Sequence, residues 1–149
     1  MDYLLDTNII LIYSKNDQLA REIEAKYQLL STDNRLSVSI VSVGEAEAAI
    51  LKTKIGEKRK DRIRDLIDRL TEFGIDFKEV VRRYAEIDAF SQGKLGQTAV
   101  TARNMGKNDI WIAATASVFD LTLVTTDKDF EHLKGQYLKL EYIPLEDFR

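Results

Sequence analysis

The sequence predicts an α/β protein with a single three-layer α/β/α domain, residues 1–149, built on a mainly parallel central sheet. Apolar segments of strand length alternate with longer segments whose apolar residues recur at helical spacing, as they do in parallel α/β folds. The 149 residues suit one domain, and 44% hydrophobic with 32% charged residues is typical of a chain that buries a core. One proline and seven scattered glycines leave no linker-like stretch.

The first half of the chain contains two strand-like segments, each followed by a helix-like one. Residues 3–5 are apolar and end at a polar run, 6–8, which is typical of a buried strand that enters a helix cap. Residues 36–41 are rich in β-branched side chains, and the next helix is predicted to open at Ser42. Two helices are predicted between these strands. One begins at residues 9–13, and the other covers residues 17–30.

The second half continues the alternation. Residues 57–72 have the clearest amphipathic pattern, with one apolar stripe and a strongly charged opposite side. Residues 108–119 are apolar around most of the circumference, so that helix is predicted to be buried centrally. The other predicted segments are a weak strand at 74–77, a helix at 80–91, a loop at 92–107, a strand at 121–125, a short helix at 128–133 and an edge strand at 138–142.

Four acidic residues stand where a predicted helix begins: Asp6, Glu45, Asp109 and Asp127. Right-handed crossovers place Asp6 and Asp127 at the same edge of the sheet, the edge at which open α/β sheets bind ligands. Two unit charges ~4 Å apart cost about 1 kcal/mol in water and about 4 kcal/mol at an effective dielectric of 20. Clustered carboxylates therefore predict a cation, and their oxygens suit Mg²⁺ or Mn²⁺.

Each carboxylate taken singly also has a structural explanation, because an acidic residue at a helix start satisfies free N–H groups for about 0.5–2 kcal/mol. Serine and threonine cap equally well without mutual repulsion, so the set of four favours the metal hypothesis. Asp129 is either an auxiliary ligand or a solvated first-turn residue. Four neighbouring polar residues are predicted to hydrogen-bond the ligands and fix their rotamers, with local capping as the alternative: Thr7, Asn8, Asn108 and Thr125.

The composition excludes several other chemistries. Without cysteine there are no disulfides and no thiolate sites. The lone histidine, His132, is predicted at the surface, and a Ser-His-Asp mechanism has little support without a second one. A net charge of −3 gives no overall basic field. Neither a signal-peptide pattern nor an apolar run of the ~20 residues that span a bilayer occurs, so we expect a cytoplasmic protein without a membrane partner.

Four segments resemble the motifs of a known family, in the family's order and spacing. They are Leu4 to Asn8, Ser42 to Glu45, Asn108 to Ala116 and Leu123 to Phe130. Together they resemble the PIN domain, and within it the VapC-type toxins of toxin–antitoxin modules. The most specific parts are the Asn-Asp of the third segment with the Ile-Ala-Ala that follows, and Thr-x-Asp-x-Asp-Phe in the fourth.

The resemblance implies an acidic quartet, Asp6, Glu45, Asp109 and Asp127, that holds Mg²⁺ or Mn²⁺, with Asp129 as an accessory ligand. It also implies endoribonuclease activity on an RNA substrate, a homodimer, and a cognate antitoxin protein that blocks the cleft. A basic region, Lys52 to Arg69 with Lys94, Arg103 and Lys107, is either an RNA-steering surface or a solvated helix face.

Two readings other than a nuclease come from different classes. A non-catalytic RNA-binding or regulatory module would keep the fold without needing four clustered acids. A phosphoacceptor receiver domain fits poorly, because its paired acidic motif after the first strand is missing from Leu5-Asp6-Thr7.

Overall fold

A five-stranded, fully parallel sheet organises the computed structural model, which describes residues 1–96 and 102–148. The strand order is β3-β2-β1-β4-β5, so the chain starts in the middle of the sheet and builds outward in both directions. Leu4 pairs with Ser37 of β2 on one side and with Leu123 of β4 on the other. The strands are β1 Asp2–Leu5, β2 Arg35–Ser39, β3 Thr71–Phe73, β4 Thr122–Thr125 and β5 Lys139–Tyr142.

Helices cover both faces of the sheet, because successive strand residues point to opposite sides. The helices are α1 Thr7–Ser14, α2 Gln18–Tyr27, α3 Ile40–Lys52, α4 Glu57–Asp68, α5 Lys78–Ser91 and α6 Lys107–Val118, with 3-10 helices at Lys128–Leu133 and Leu145–Phe148. Leu4 and Leu123 pack beneath α5 and α6, whereas Leu5 and Val124 pack beneath α1 to α4. This arrangement confirms the predicted three-layer α/β/α class.

The prediction that Glu45 stands at a helix start is wrong. Strand β2 ends at Ser39, whose hydroxyl accepts a hydrogen bond from the Val41 N–H and caps α3, which begins at Ile40. Glu45 therefore lies in the second turn of α3. The β-branched residues Ile40 and Val41 read as strand in isolation, but the serine cap and helix packing override that weak preference.

The predicted boundaries around α4 are also wrong. The helix ends at Asp68 instead of residue 72, and β3 occupies Thr71–Phe73 instead of 74–77. Strand β3 pairs with β2, with Thr71 opposite Ser37. A three-residue edge strand is decided by this long-range pairing, which no local pattern encodes. Helix α2 likewise ends before residue 30, because Gln28 adopts a left-handed conformation with φ 50°.

Helix α6 is buried as predicted, with Ile110, Ile112 and Ala113 to Ala116 shielded from solvent. Trp111 lies at its margin, partly buried, and its ring packs against Tyr84 at 4.1 Å between centroids. Part of the predicted 92–107 loop, residues 97–101, lies outside the described residues. Within residues 1–96 and 102–148, no helix is both long and apolar enough to cross a bilayer.

Candidate functional site

The carboxyl ends of the two central strands bring Asp6 and Asp127 to one edge of the sheet. Asp6 directly follows β1 and caps α1, while Asp127 follows neighbouring β4 and caps the first 3-10 helix. The Asp6 N–H donates to the Val124 carbonyl at 2.9 Å, which fixes the two strand ends together. Adjacent parallel strands thus produce the convergence that the sequence predicts.

Asp6 is the buried member of the acidic group, with 5% of its surface exposed. Its Oδ1 accepts from the Thr7 N–H at 2.8 Å, and its Oδ2 accepts from the Thr125 hydroxyl at 2.7 Å. Burial raises the pKa of Asp6 against the opposing effect of these bonds, and the charges of Glu45 and Asp127 raise it further. The side chain is held in one orientation by partners at the start of α1 and at the end of β4.

Glu45 extends from α3 toward the crevice at the carboxyl edge of the sheet, where Asp6 lies. Its Oε1 accepts from the Thr7 hydroxyl at 2.6 Å, and its Oε2 accepts from the Asn108 side-chain amide at 3.3 Å. Thr7 belongs to α1 and Asn108 to α6, so one carboxylate joins three helices. A position in the second turn of α3 is what allows Glu45 to face the starts of the other two helices.

Asp109 carries the clearest electrostatic signature of the group. It lies half-buried in the first turn of α6, and no described residue hydrogen-bonds its carboxylate. Burial is the largest cause that raises the pKa of Asp109 to about 7. Further increases come from four neighbouring carboxylates, namely Asp6, Asp127, Glu45 and Asp129. Each of these acids therefore lies close enough to disfavour a charge at Asp109.

Asp127 and Asp129 are linked at the start of the first 3-10 helix. Asp127 Oδ1 accepts from the Asp129 N–H at 2.9 Å, and the Asp127 N–H donates to the Thr125 hydroxyl at 3.0 Å. Asp129 is exposed and contributes through its charge. Of the four predicted supporting residues, Asn8 is the one that makes no hydrogen bond to the described carboxylates, and its side chain is exposed. The other three, Thr7, Asn108 and Thr125, contact them.

The donor set fits a hard divalent cation. All candidate ligands are carboxylate oxygens, which Mg²⁺ and Mn²⁺ prefer. Among the described residues, no three acidic or histidine side chains are close enough together to hold a metal ion. Mg²⁺ usually keeps several waters and takes one or two carboxylates directly, so an open crevice of mutually repelling acids suits it.

The structure does not support an RNA-steering role for the central arginines of the basic region, because Arg59, Arg62 and Arg64 have hydrogen-bond partners within the protein. Arg59 donates to the Ser14 hydroxyl at 3.0 Å and to the Leu11 carbonyl, and Arg62 donates to the Ser14 carbonyl, so both close the carboxyl end of α1. Arg64 forms two hydrogen bonds with Glu47, which is therefore ion-paired.

The predicted surface position of His132 is wrong. Its ring is half-buried, and its Nε2 lies 2.8 Å from the hydroxyl of Ser91, which is 1% exposed. Sequence reasoning missed Ser91 entirely as a polar partner. The only signal was its place at the end of an otherwise apolar helical stripe, which gives no indication that a histidine 41 residues away will meet it.

Replacing Thr125 by valine tests how much the site depends on this one hydroxyl. The two side chains have nearly the same shape, but valine leaves a buried Asp6 oxygen and the Asp127 N–H without their partner. We expect the free energy of unfolding to fall by about 1–3 kcal/mol in urea denaturation. The control, Thr53→Val, removes an exposed hydroxyl whose acceptor keeps a backbone bond. Equal losses in both variants would contradict the expected role of Thr125.

Comparison with known proteins agrees with this geometry. The PIN domain family model matches residues 3–136. VapBC2 from Rickettsia felis bound to a promoter DNA fragment is 25% identical, with TM-score 0.72, covering 96% of this chain and 99% of that one. VapBC-1 from nontypeable Haemophilus influenzae is 26% identical, with TM-score 0.68, covering 95% and 98%. DNA-bound VapBC from Salmonella typhimurium, at 21% identity and TM-score 0.69 over 95% and 98%, supports the fold alone. No curated protein matches the chain significantly.

The fold and the acidic crevice define an α/β protein with a candidate cation site at the carboxyl edge of a parallel sheet. The family match covers nearly the whole chain, and the chain belongs to the PIN domain family. The resemblance read from the four motifs, including the likeness to VapC-type proteins, is thereby confirmed.

Proposed function

We propose that this protein is an Mg²⁺- or Mn²⁺-dependent endoribonuclease and the toxin of a toxin–antitoxin module, with residues 1–149 as its nuclease domain. The observation that carries the proposal is the crevice, in which Asp6 is bonded to Thr125 and Glu45 to Thr7 and Asn108. Asp109 lies beside them, and after burial the charges of Asp6, Asp127, Glu45 and Asp129 raise its pKa to about 7. A site without a cation gains nothing from repulsion among its carboxylates, whereas a bound cation offsets the charges of the carboxylates around it.

The residues divide into ligands and supports. Asp6, Glu45, Asp109 and Asp127 would hold the cation, with Asp129 as an accessory carboxylate. Thr125 fixes Asp6, and Thr7 with Asn108 fixes Glu45, so these carboxylates have few rotamers to lose on binding. When bound, a divalent cation lowers the pKa of a water and neutralises charge that develops on the phosphate. A carboxylate of the group can accept the proton of the attacking water.

The names of the relatives support the proposed partners. VapBC is described as a family of toxin–antitoxin systems, and two structures of that name, VapBC2 and VapBC-1, are 25% and 26% identical to this chain. They support the proposal of a cognate antitoxin protein for this chain. A homodimer and a cytoplasmic site of action belong to the same proposal. Co-purification with the product of an adjacent small reading frame, followed by mass determination of the complex, tests both protein partners.

The activity is tested with purified protein and matched single-stranded RNA and DNA oligonucleotides. We expect wild-type protein to cleave RNA in Mg²⁺ or Mn²⁺ and to stop in EDTA, with Asp6→Asn protein prepared in parallel as the control for contaminating nuclease. Cleavage that persists in EDTA, or that is equal in both proteins, would contradict the proposal. RNA binding without cleavage under any metal would support the non-catalytic module instead.

A further inference from the structure

The acidic crevice is assembled from two segments that are far apart along the chain. Asp109 lies in the first turn of α6, while Asp127 caps the first 3-10 helix and Asp129 lies in the first turn of that helix. A shared cation needs these carboxylates at a fixed distance from one another, so a contact that joins the two segments outside the crevice helps to set that distance.

Ser91 joins these two segments. It is the last residue of α5 and makes three contacts with residues outside that helix. Its hydroxyl lies 2.8 Å from His132 Nε2 and 3.3 Å from the Met105 sulfur, and its carbonyl accepts from the Arg103 N–H. Arg103 and Met105 belong to the segment that precedes α6, whereas His132 belongs to the first 3-10 helix. One buried serine therefore joins both acid-bearing segments.

The histidine side of this contact is equally fixed. The His132 ring lies parallel to Phe90, at an interplanar angle of 6° and 6.4 Å between centroids, and Phe90 also packs edge-on against Tyr137. Burial lowers the pKa of His132, with a smaller effect in the same direction from Arg103, whereas Asp129 raises it. Its Nδ1 is buried without a well-formed hydrogen bond among the described residues, although the Asp129 backbone lies near enough to affect the pKa of the ring, so Ser91 is the well-formed polar contact of the ring.

The chain distances make this contact relevant to the crevice. Met105 precedes Asp109 by four residues, just before the N-cap of α6, and His132 lies in the first 3-10 helix, five residues after Asp127, which caps that helix. We therefore expect a shift at Ser91 to reach both carboxylates.

We propose that Ser91 and His132 form a positioning pair that ties the segment before α6 to the first 3-10 helix and thereby limits how far Asp109 and Asp127 can move apart when they bind a shared cation. The proposal rests on the proposed metal-dependent function. Neither residue is a ligand of the cation. Both act through the segments that they join. Their loss opens the crevice and weakens cation binding, while most of the fold is retained.

The test measures Mn²⁺ affinity by isothermal titration calorimetry, without RNA. We expect Ser91→Ala to weaken Mn²⁺ binding about 5- to 10-fold, less than the roughly 10- to 100-fold lost with a group bonded directly to a metal ligand, because Ser91 acts only through the segments that it joins. The matched control is Ser14→Ala, which also removes a buried serine hydroxyl at a helix end that bonds a side chain from another segment. Ser14→Ala should change Mn²⁺ affinity less than about twofold at a comparable loss of stability. Equal Mn²⁺ affinities in the two variants would overturn the proposal.

A second pair of variants keeps the proposal testable if Ser91→Ala folds poorly. Glutamine at position 132 can place a polar atom near the position of Nε2, whereas leucine cannot. We expect His132→Gln to keep more Mn²⁺ affinity than His132→Leu, and Ser91→Ala to add nothing to His132→Leu, since paired residues are not additive. Equal affinities in the glutamine and leucine variants, or additive losses, would overturn the pairing.

Amide hydrogen exchange of the metal-free protein gives an independent readout. Faster exchange at residues 102–112 and 126–133 in Ser91→Ala, but not in Ser14→Ala, is expected. If Ser91→Ala binds Mn²⁺ as tightly as wild type, and wild type cleaves RNA in a metal-dependent way, the positioning pair is overturned and the proposed function stands. If Ser91→Ala binds Mn²⁺ more weakly but wild type does not cleave RNA, the proposed function is overturned and the positioning pair stands. Wild-type protein that binds no Mn²⁺ at millimolar concentration would overturn both.

Discussion

The Asp6→Asn variant is expected to fold and to cleave RNA at least about a hundredfold more slowly than wild type. Loss of a group behind a metal ligand already costs about 10- to 100-fold, and Asp6 is proposed as a ligand itself. The fold should persist because asparagine has the same shape and removes a buried charge whose pKa is already raised. The measurement is the initial rate of RNA cleavage in Mg²⁺, with circular dichroism to check folding.

The matched control for this change is Asp33→Asn. Asp33 is exposed and lies just before β2, at the opposite edge of the sheet from Asp6. The same loss of one negative charge there should leave the cleavage rate within about twofold. Cleavage by Asp6→Asn at the wild-type rate would remove Asp6 from the catalytic group and, with it, the main support for a shared cation.

The Asp109→Asn variant is expected to lose cleavage and yet to be more stable than wild type in EDTA at pH 8. A carboxyl whose folded pKa is raised from 3.8 to about 7 opposes folding when it is ionised. No penalty exists below pH 3.8, where the group is protonated in both states; it grows up to pH 7 and is complete above. Because the side chain is half-exposed, solvent screening reduces the expected gain to about 1–2 kcal/mol.

Urea denaturation at pH 5 and pH 8 checks this sign. The stability difference between Asp109→Asn and wild type should be larger at pH 8, and Mg²⁺ should stabilise wild type more than the variant, because a ligand stabilises the state that binds it. A loss of more than about 1 kcal/mol at pH 8 would show that Asp109 serves mainly to stabilise the helix start.

The sequence predicted elements best where the pattern was long or the segment buried. The amphipathic pattern of α4 and the apolar α6 were identified from their own residues, because a helix of three turns repeats its signal several times. The short strand β3 and the junction of β2 with α3 were misplaced. Three or five residues carry too little pattern to compete with the pairing of Thr71 to Ser37 or the cap made by Ser39.

The candidate site shows the same division. Asp6, Asp109 and Asp127 could be chosen from the sequence, with three of the four predicted supports, because carboxylates at strand ends and helix starts are visible in the order of residues. Glu45 was also chosen, but from a helix start that the structure places at Ile40 instead. The partners of Arg59 and the meeting of Ser91 with His132 could not. Both depend on side chains that are more than 40 positions apart along the chain.

The sequence by itself determined that this is a parallel α/β protein and which acidic residues face its crevice, since hydrophobic period and residue type are local properties. The tertiary structure alone decided that Glu45 faces the crevice from inside a helix, and that Asp109 is repelled by four other acids. It also decided that a buried serine joins the segments that bear those acids. Distances between residues far apart in sequence are set by packing, and packing is a property of the whole chain.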